Sequence, residues 1–267
     1  MKKYIIRILV IISSVYILVC VLLYLFQENL IFLPEKLGKG FKFRFVQKFE
    51  EINIKTKDGV LLNSVLFKAD SSSKGVIFYL HGNAGSLNSW GDVAGTYTAM
   101  HYDVFMIDYR GYGKSESIIS SEGQVFSDMQ AAYDTLKTRY TENKIAVLGY
   151  SLGTGPAAKI AADNHPRLLI LQAPYYSLTD MMKHSYPIIP TFILKYRFET
   201  NEYIKKCKMP IVIFHGDADE VIYYDSSIKL KQFFKSADTL ITLNGQGHNG
   251  ITENADYKIA ISKILER

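Results

Sequence analysis

The sequence predicts an α/β fold: a mostly parallel eight-stranded sheet with helices on both faces, preceded by one N-terminal transmembrane helix. Three observations predict it. Short apolar runs alternate with helix-period segments after residue 75, the pattern of strands joined by crossover helices. Polar motifs close several of those runs, and open α/β sheets gather their active groups at the carboxyl ends of strands. An uncharged apolar stretch near the start is long enough to cross a bilayer.

That stretch runs over residues 8–26, where only Ser13 and Ser14 are polar. At 1.5 Å per residue it spans roughly 28 Å, close to the hydrocarbon thickness of a membrane. Tyr4 and Tyr24 stand near its ends, and Lys2, Lys3 and Arg7 precede or begin it. The positive-inside tendency puts the N-terminus in the cytoplasm and the remaining residues on the outer side. A cleaved signal peptide fits less well, because the run is long and no small-x-small site follows. A lipoprotein site at Cys20 is disfavoured by bulky Val19 before it. The expected division is an anchor over 1–30 and one domain over 31–267.

Composition sets the remaining bounds. The chain has 267 residues, 48% hydrophobic and 21% charged, which suits one large α/β domain with a core. A net charge of +5 from scattered lysines does not make a nucleic-acid surface. It is compatible with a bilayer surface as partner. Cys20 and Cys207 form no framework and no CxxC occurs, so neither a disulfide scaffold, a metal site nor a cofactor is expected. Oligomeric state is not legible.

The elements follow in order. Phe41, Phe43 and Phe45 alternate with Lys42 and Arg44, as in a strand or a packed linker. Strands at 51–57 and 60–69 flank Asp58-Gly59, a hairpin turn. Further strands are expected at 75–82, 102–111, 144–150, 167–173, 210–216 and 239–245. Helices are expected at 86–101, 122–140, 153–164, 225–236 and 252–265, with Val125, Met129, Ala132, Tyr133 and Leu136 on one stripe. Residues 174–209 leave room for a small cap of about two short helices.

One strand runs into one helix through GYSLG, residues 149–153. A serine on a sharp strand-to-helix turn has a strained backbone and an exposed oxygen, and flanking glycines leave it space. Its hydroxyl needs a base, and the base an orienting acid. In this arrangement the order is Ser, then Asp or Glu, then His. His248, in the glycine-rich loop GQGHNG after the last strand, meets that order as general base. The loop HGDADEVI before it offers Asp217, Asp219 and Glu220, and spacing alone does not separate them. Leu152 and Asn83, the latter in the loop HGNAGS, are the expected main-chain N–H donors to an oxyanion. His81 precedes the serine, against the order, and is read as structural.

LHGNAGS, DYRGYGKSES, GYSLGTG, LQAPYYSL, HGDADEVI and GQGHN follow one another over residues 80–249. As a set they resemble the α/β-hydrolase superfamily. The anchor followed by ENLIFLPE resembles its single-pass membrane branch, the "abhydrolase domain-containing" and bud-emergence-like serine hydrolases. The family pattern HGxxDxxV, matched at its last position only by Ile222, selects Asp219 as the acid of a triad with Ser151 and His248. It also implies that Asp108 and Arg110 brace the active-site loops.

The expected activity is cleavage of carboxylic esters or thioesters, with a small-molecule or lipid acyl ester, or an acylated protein, as substrate. The apolar segment 181–198 is read as lining an acyl pocket or dipping into the bilayer. A peptidase or amidase of the same fold, and a catalytically silent membrane-bound binding protein, are the alternatives.

Overall fold

The computed structural model describes residues 1–266. Helix α1 (Lys2–Ile31) is the apolar segment, long and apolar enough to cross a membrane. Phe26 leaves helical dihedrals (φ −116°, ψ 15°), so α1 is kinked there. Beyond the kink Gln27 is buried and Ile31 packs on the core.

The hairpin comes next, β1 (Phe49–Lys55) and β2 (Leu61–Phe67). Gly59 adopts φ 85° in its turn, where a side chain would be strained. Then β3 (Gly75–Leu80) leads through α2 (Leu87–Trp90) and α3 (Ala94–Thr98) to β4 (Tyr102–Ile107). Helix α4 (Glu122–Lys137), β5 (Ile145–Tyr150), α5 (Thr154–Asp163) and β6 (Leu168–Gln172) continue the alternation. Helices α6 (Leu178–Ser185) and α7 (Thr200–Ile204) precede β7 (Ile211–Gly216). The chain ends with α8 (Asp225–Lys231), β8 (Thr239–Leu243) and α9 (Ala255–Leu265).

The eight strands form one sheet in the order β1-β2-β4-β3-β5-β6-β7-β8. Strand β2 is antiparallel to both neighbours and every other pairing is parallel. The sheet is therefore mixed, with its single reversed strand supplied by the hairpin.

Central strands are buried on both faces, which explains their unbroken apolar runs. In β3, Val76, Phe78 and Leu80 pack with Met129 and Tyr133 of α4 and Ala157 of α5. Ile77 and Tyr79 point to the opposite layer, with Tyr97 of α3 and Tyr257 of α9. The stripe expected on 122–140 is the buried face of α4.

Two expectations shift in detail. Residues 86–101 are α2 and α3 separated by a 3₁₀ turn, Gly91–Val93. The Phe41–Phe43–Phe45 segment forms a packed linker without strand pairing. Phe43 stacks on Phe45 at 5.2 Å, and Phe45 fills the space where a Cβ on Gly91 would stand 2.3 Å away.

Candidate active site

The elbow follows from close packing. Ser151 begins a 3₁₀ turn (Ser151–Gly153) between β5 and α5 and adopts φ 50°, a left-handed conformation that non-glycine residues rarely take. A Cβ on Gly149 would lie 2.5 Å from the Gly153 carbonyl oxygen. One on Gly153 would lie 2.1 Å from that of Leu80, and one on Gly155 would lie 2.2 Å from the Tyr175 hydroxyl. The glycines let helix α5 start directly against β5 and β3.

His248 sits in the loop after β8. Its carbonyl accepts from the Tyr150 hydroxyl and its N–H donates to Glu220 Oε2 at 3.3 Å. The imidazole bridges two groups: Nε2 is 2.9 Å from Ser151 Oγ and Nδ1 is 2.7 Å from Asp219 Oδ2. With the proton on Nδ1, that nitrogen donates to the carboxylate and Nε2 accepts from the serine hydroxyl, so each contact has one donor.

The three acids after β7 separate cleanly. Asp217 Oδ1 accepts from the Gly245 N–H at 2.6 Å and ties two loops together. Glu220 accepts from the His248 main chain. Asp219 faces the imidazole. Its Oδ1 accepts from the N–H groups of Val221 and Ile222, both at 2.8 Å, while Oδ2 accepts from His248 and from His215 Nε2 at 3.2 Å. Burial opposes its ionisation, but the hydrogen bonds from His215 and His248 outweigh burial and hold the carboxyl well below the usual range.

His215 opens the HGxxDxxV pattern, which assigns it no role. It is fully buried, takes a hydrogen bond from Ser227 at Nδ1 (2.7 Å), and its Nε2 also donates to the Ile222 carbonyl (2.9 Å). It therefore fixes the turn that aims Asp219. The His-Gly pair opening HGDADEVI was the available signal.

Leu152 and Asn83 border the same space as Ser151. Their N–H groups donate to no protein acceptor among the described residues. A Cβ on Gly82 would stand 3.2 Å from the Ser151 Cβ, so the Asn83 loop passes over the serine. The Asn83 side chain turns the other way. Its Nδ2 donates to the Ile31 carbonyl at 2.7 Å, and its Oδ1 accepts from the Leu33 N–H (2.9 Å) and the Tyr112 hydroxyl (2.8 Å).

His81 is buried beneath this loop. Its Nδ1 is 2.8 Å from the Gly82 carbonyl oxygen, and its ring stacks on Trp90. Asp108 accepts from the Leu87 N–H at 2.9 Å, bracing the start of α2 behind the Asn83 loop. Arg110 acts elsewhere, contrary to expectation. It forms two-pronged hydrogen bonds with Asp58 and Asp128, pinning the β1–β2 turn to α4. A guanidinium reaches two carboxylates at once through its rigid fork, so Arg110 braces the hairpin rather than the active-site loops.

Above Ser151 lies a cavity of about 610 Å³. Tyr175, Leu178, Met181, Met182 and Ile193 form much of its lining. Leu23, Gln27, Leu30 and Ile31 of α1 also border it, a contribution that no local sequence pattern predicts.

Comparison with known proteins identifies the family and the fold. The family described as serine aminopeptidase, S33 matches residues 71–200. Protein bem46 of Schizosaccharomyces pombe is 31% identical over 217 residues, covering 75% of this chain and 72% of that protein. Alpha/beta hydrolase domain-containing protein 17B of Homo sapiens is 26% identical over 216 residues, covering 80% of this chain and 74% of its own. Among solved structures, an esterase of Pyrococcus furiosus superposes with a TM-score of 0.70 at 18% identity, covering 88% of this chain and 97% of its own, which speaks for the fold. This chain belongs to the α/β-hydrolase superfamily, in the branch of bem46 and the alpha/beta hydrolase domain-containing proteins.

Proposed function

We propose that this protein is a membrane-anchored serine hydrolase that cleaves carboxylic esters or thioesters of acyl or lipid-type substrates. The observation that carries the reading is the hydrogen-bonded chain Ser151–His248–Asp219 at the floor of an apolar cavity. As Ser151 Oγ bonds to the carbonyl carbon, its proton passes to His248 Nε2. The carbonyl oxygen gains charge and is met by the N–H groups of Asn83 and Leu152. When the intermediate collapses, His248 returns the proton to the departing alkoxide or thiolate, which leaves as alcohol or thiol. Water then adds to the acyl-enzyme and gives a proton to His248. The acyl–Oγ bond breaks, Oγ regains the proton and the carboxylic acid leaves. Asp219 remains ionised throughout and steadies the imidazolium.

The cavity lining contains no Asp or Glu. A free peptide amino group would find no carboxylate there, which favours an acyl ester over an aminopeptidase substrate. Helix α1 serves as the anchor in this reading. Lys2, Lys3 and Arg7 keep its N-terminus in the cytoplasm, with the hydrolase domain on the outer side.

The test uses the full chain in detergent micelles. A fluorophosphonate should label the wild type and fail to label Ser151→Ala and His248→Ala. Labelling that survived both substitutions would end the assignment. A catalytically silent binding protein would give neither labelling nor turnover of p-nitrophenyl butyrate.

A further inference from the structure

We infer that the segment between α6 and the 3₁₀ turn Thr191–Ile193 is inserted in the membrane beside α1, and that an acyl chain of a bilayer glycerolipid reaches Ser151 laterally between them. This rests on the hydrolase reading above and names the substrate class of that same site.

The anchor is docked on the domain at defined points. Gln27, only 5% exposed, donates to the Ile193 carbonyl at 3.1 Å and accepts from the Lys195 N–H at 2.8 Å. Glu28 Oε1 accepts from Lys195 Nζ at 3.1 Å and from the Tyr196 hydroxyl at 3.2 Å. Eleven residues earlier, the Tyr16 hydroxyl donates to the Ile188 carbonyl at 2.7 Å. Tyr16, Cys20, Leu23, Gln27 and Leu30 recur every three or four positions and so share one face of the helix. Residues 186–193 thus follow α1 over about 16 Å of its axis, at 1.5 Å per residue. Tyr16 lies near the middle of the apolar run 8–26, so the tip reaches the depth of a leaflet if α1 crosses the bilayer.

The chemistry of the tip suits hydrocarbon. Residues 185–194 carry no charge, and Lys183, His184, Lys195 and Arg197 flank them. Ile188 is 77% exposed, Phe192 81% and Tyr186 64%, a cluster that water would not favour. Backbone groups in lipid need internal partners, and part of this segment has them. Pro187 and Pro190 have no N–H, while Ile189, Ile193 and Leu194 donate to Tyr186, Pro190 and Thr191. The carbonyls of Ile188 and Ile193 are taken by Tyr16 and Gln27. The cavity lining runs from Ser151 to Tyr186 and Ile189 at this tip and includes Leu23 and Leu30 of α1. Lipid is therefore the medium next to its outer end.

The experiment reconstitutes the full chain in vesicles. A long-chain diacylglycerol is placed either in the same vesicles or in separate ones, and released fatty acid is measured beside p-nitrophenyl butyrate turnover. Hydrolysis of the lipid should be confined to the shared vesicles. Phe192→Asp, which puts a charge on the tip outside the cavity, should lower lipid hydrolysis about tenfold or more, since a carboxylate is disfavoured at membrane depth. Its butyrate turnover should stay within about twofold, as for other surface substitutions. Ile259→Asp, on α9, should change neither. Equal hydrolysis from separate vesicles, or unaltered lipid hydrolysis by Phe192→Asp, would overturn the inference. So would butyrate turnover with no lipid turnover, which would leave the hydrolase reading standing. Loss of butyrate turnover in the wild type would remove both.

Discussion

Ser151 and His248 are buried, as is the side chain of Asp219, and each is held by at least two partners. The serine is fixed by the φ 50° turn and the imidazole, the imidazole by Tyr150 and Glu220 through its main chain, and the carboxylate by two N–H groups and two histidines. Helix α6 and the segment after it stand in contrast. No residue of α6 is fully buried, and Tyr186, Ile188 and Phe192 face outward. Groups that act on the reacting atoms sit on rigid strand ends, where a small displacement is resisted by the whole sheet. The cavity-lining side chains of α6 and the segment after it sit on a thin layer secured by a few hydrogen bonds to α1. The two regions should therefore fail differently.

The largest effect is expected at the carboxyl rim of the sheet, where Ser151, His248 and Asp219 meet. Ser151→Ala should lower kcat/KM for p-nitrophenyl butyrate by on the order of 10⁴-fold or more with the unfolding midpoint nearly unchanged. Asp219→Asn should follow at about 10³- to 10⁴-fold, because the imidazole loses the group that fixes its tautomer. A small loss in either would mean that the rim is not what carries turnover. Gly153→Ala should act through stability instead. Its Cβ would stand 2.1 Å from the Leu80 carbonyl oxygen, backbone that cannot step aside. About 2–3 kcal/mol of unfolding free energy should be lost in denaturant titration.

Gln27→Leu probes the other region. It leaves the Ile193 carbonyl and the Lys195 N–H without their partner, a local cost of about 1–3 kcal/mol. Hydrogen exchange should rise over 186–195 while kcat for the butyrate ester holds. Unchanged exchange there would show that the layer is secured by packing alone.

The smallest effect concerns pH. Because the folded-state Asp219 carboxyl titrates below its unfolded value, its contribution is fully present above about pH 4 and is lost as pH falls further. Wild-type stability should drop over that acidic interval more steeply than that of Asp219→Asn, measured by chemical unfolding.

The sequence by itself carried the long apolar helix, the eight strands and the Ser151 elbow. These are local matters: an apolar run of membrane length, alternating periodicities, and glycines where two backbones meet. It left Asp217, Asp219 and Glu220 equivalent by spacing. A loop of adjacent acids differs only in where each side chain points, and that depends on hydrogen bonds to Gly245, His248 and His215 from other elements. The sequence also suggested Arg110 as a brace for the active-site loops, whereas its fork is committed to Asp58 and Asp128. Most of all, tertiary structure decided that α1 is a wall of the cavity. In the sequence, Gln27 and Glu28 only follow the apolar run. Only folding brings Ile193, Lys195 and Tyr196, far along the chain, to meet them. A helix period identifies one face of α1, but the partner of that face is chosen by long-range packing, which no local pattern encodes.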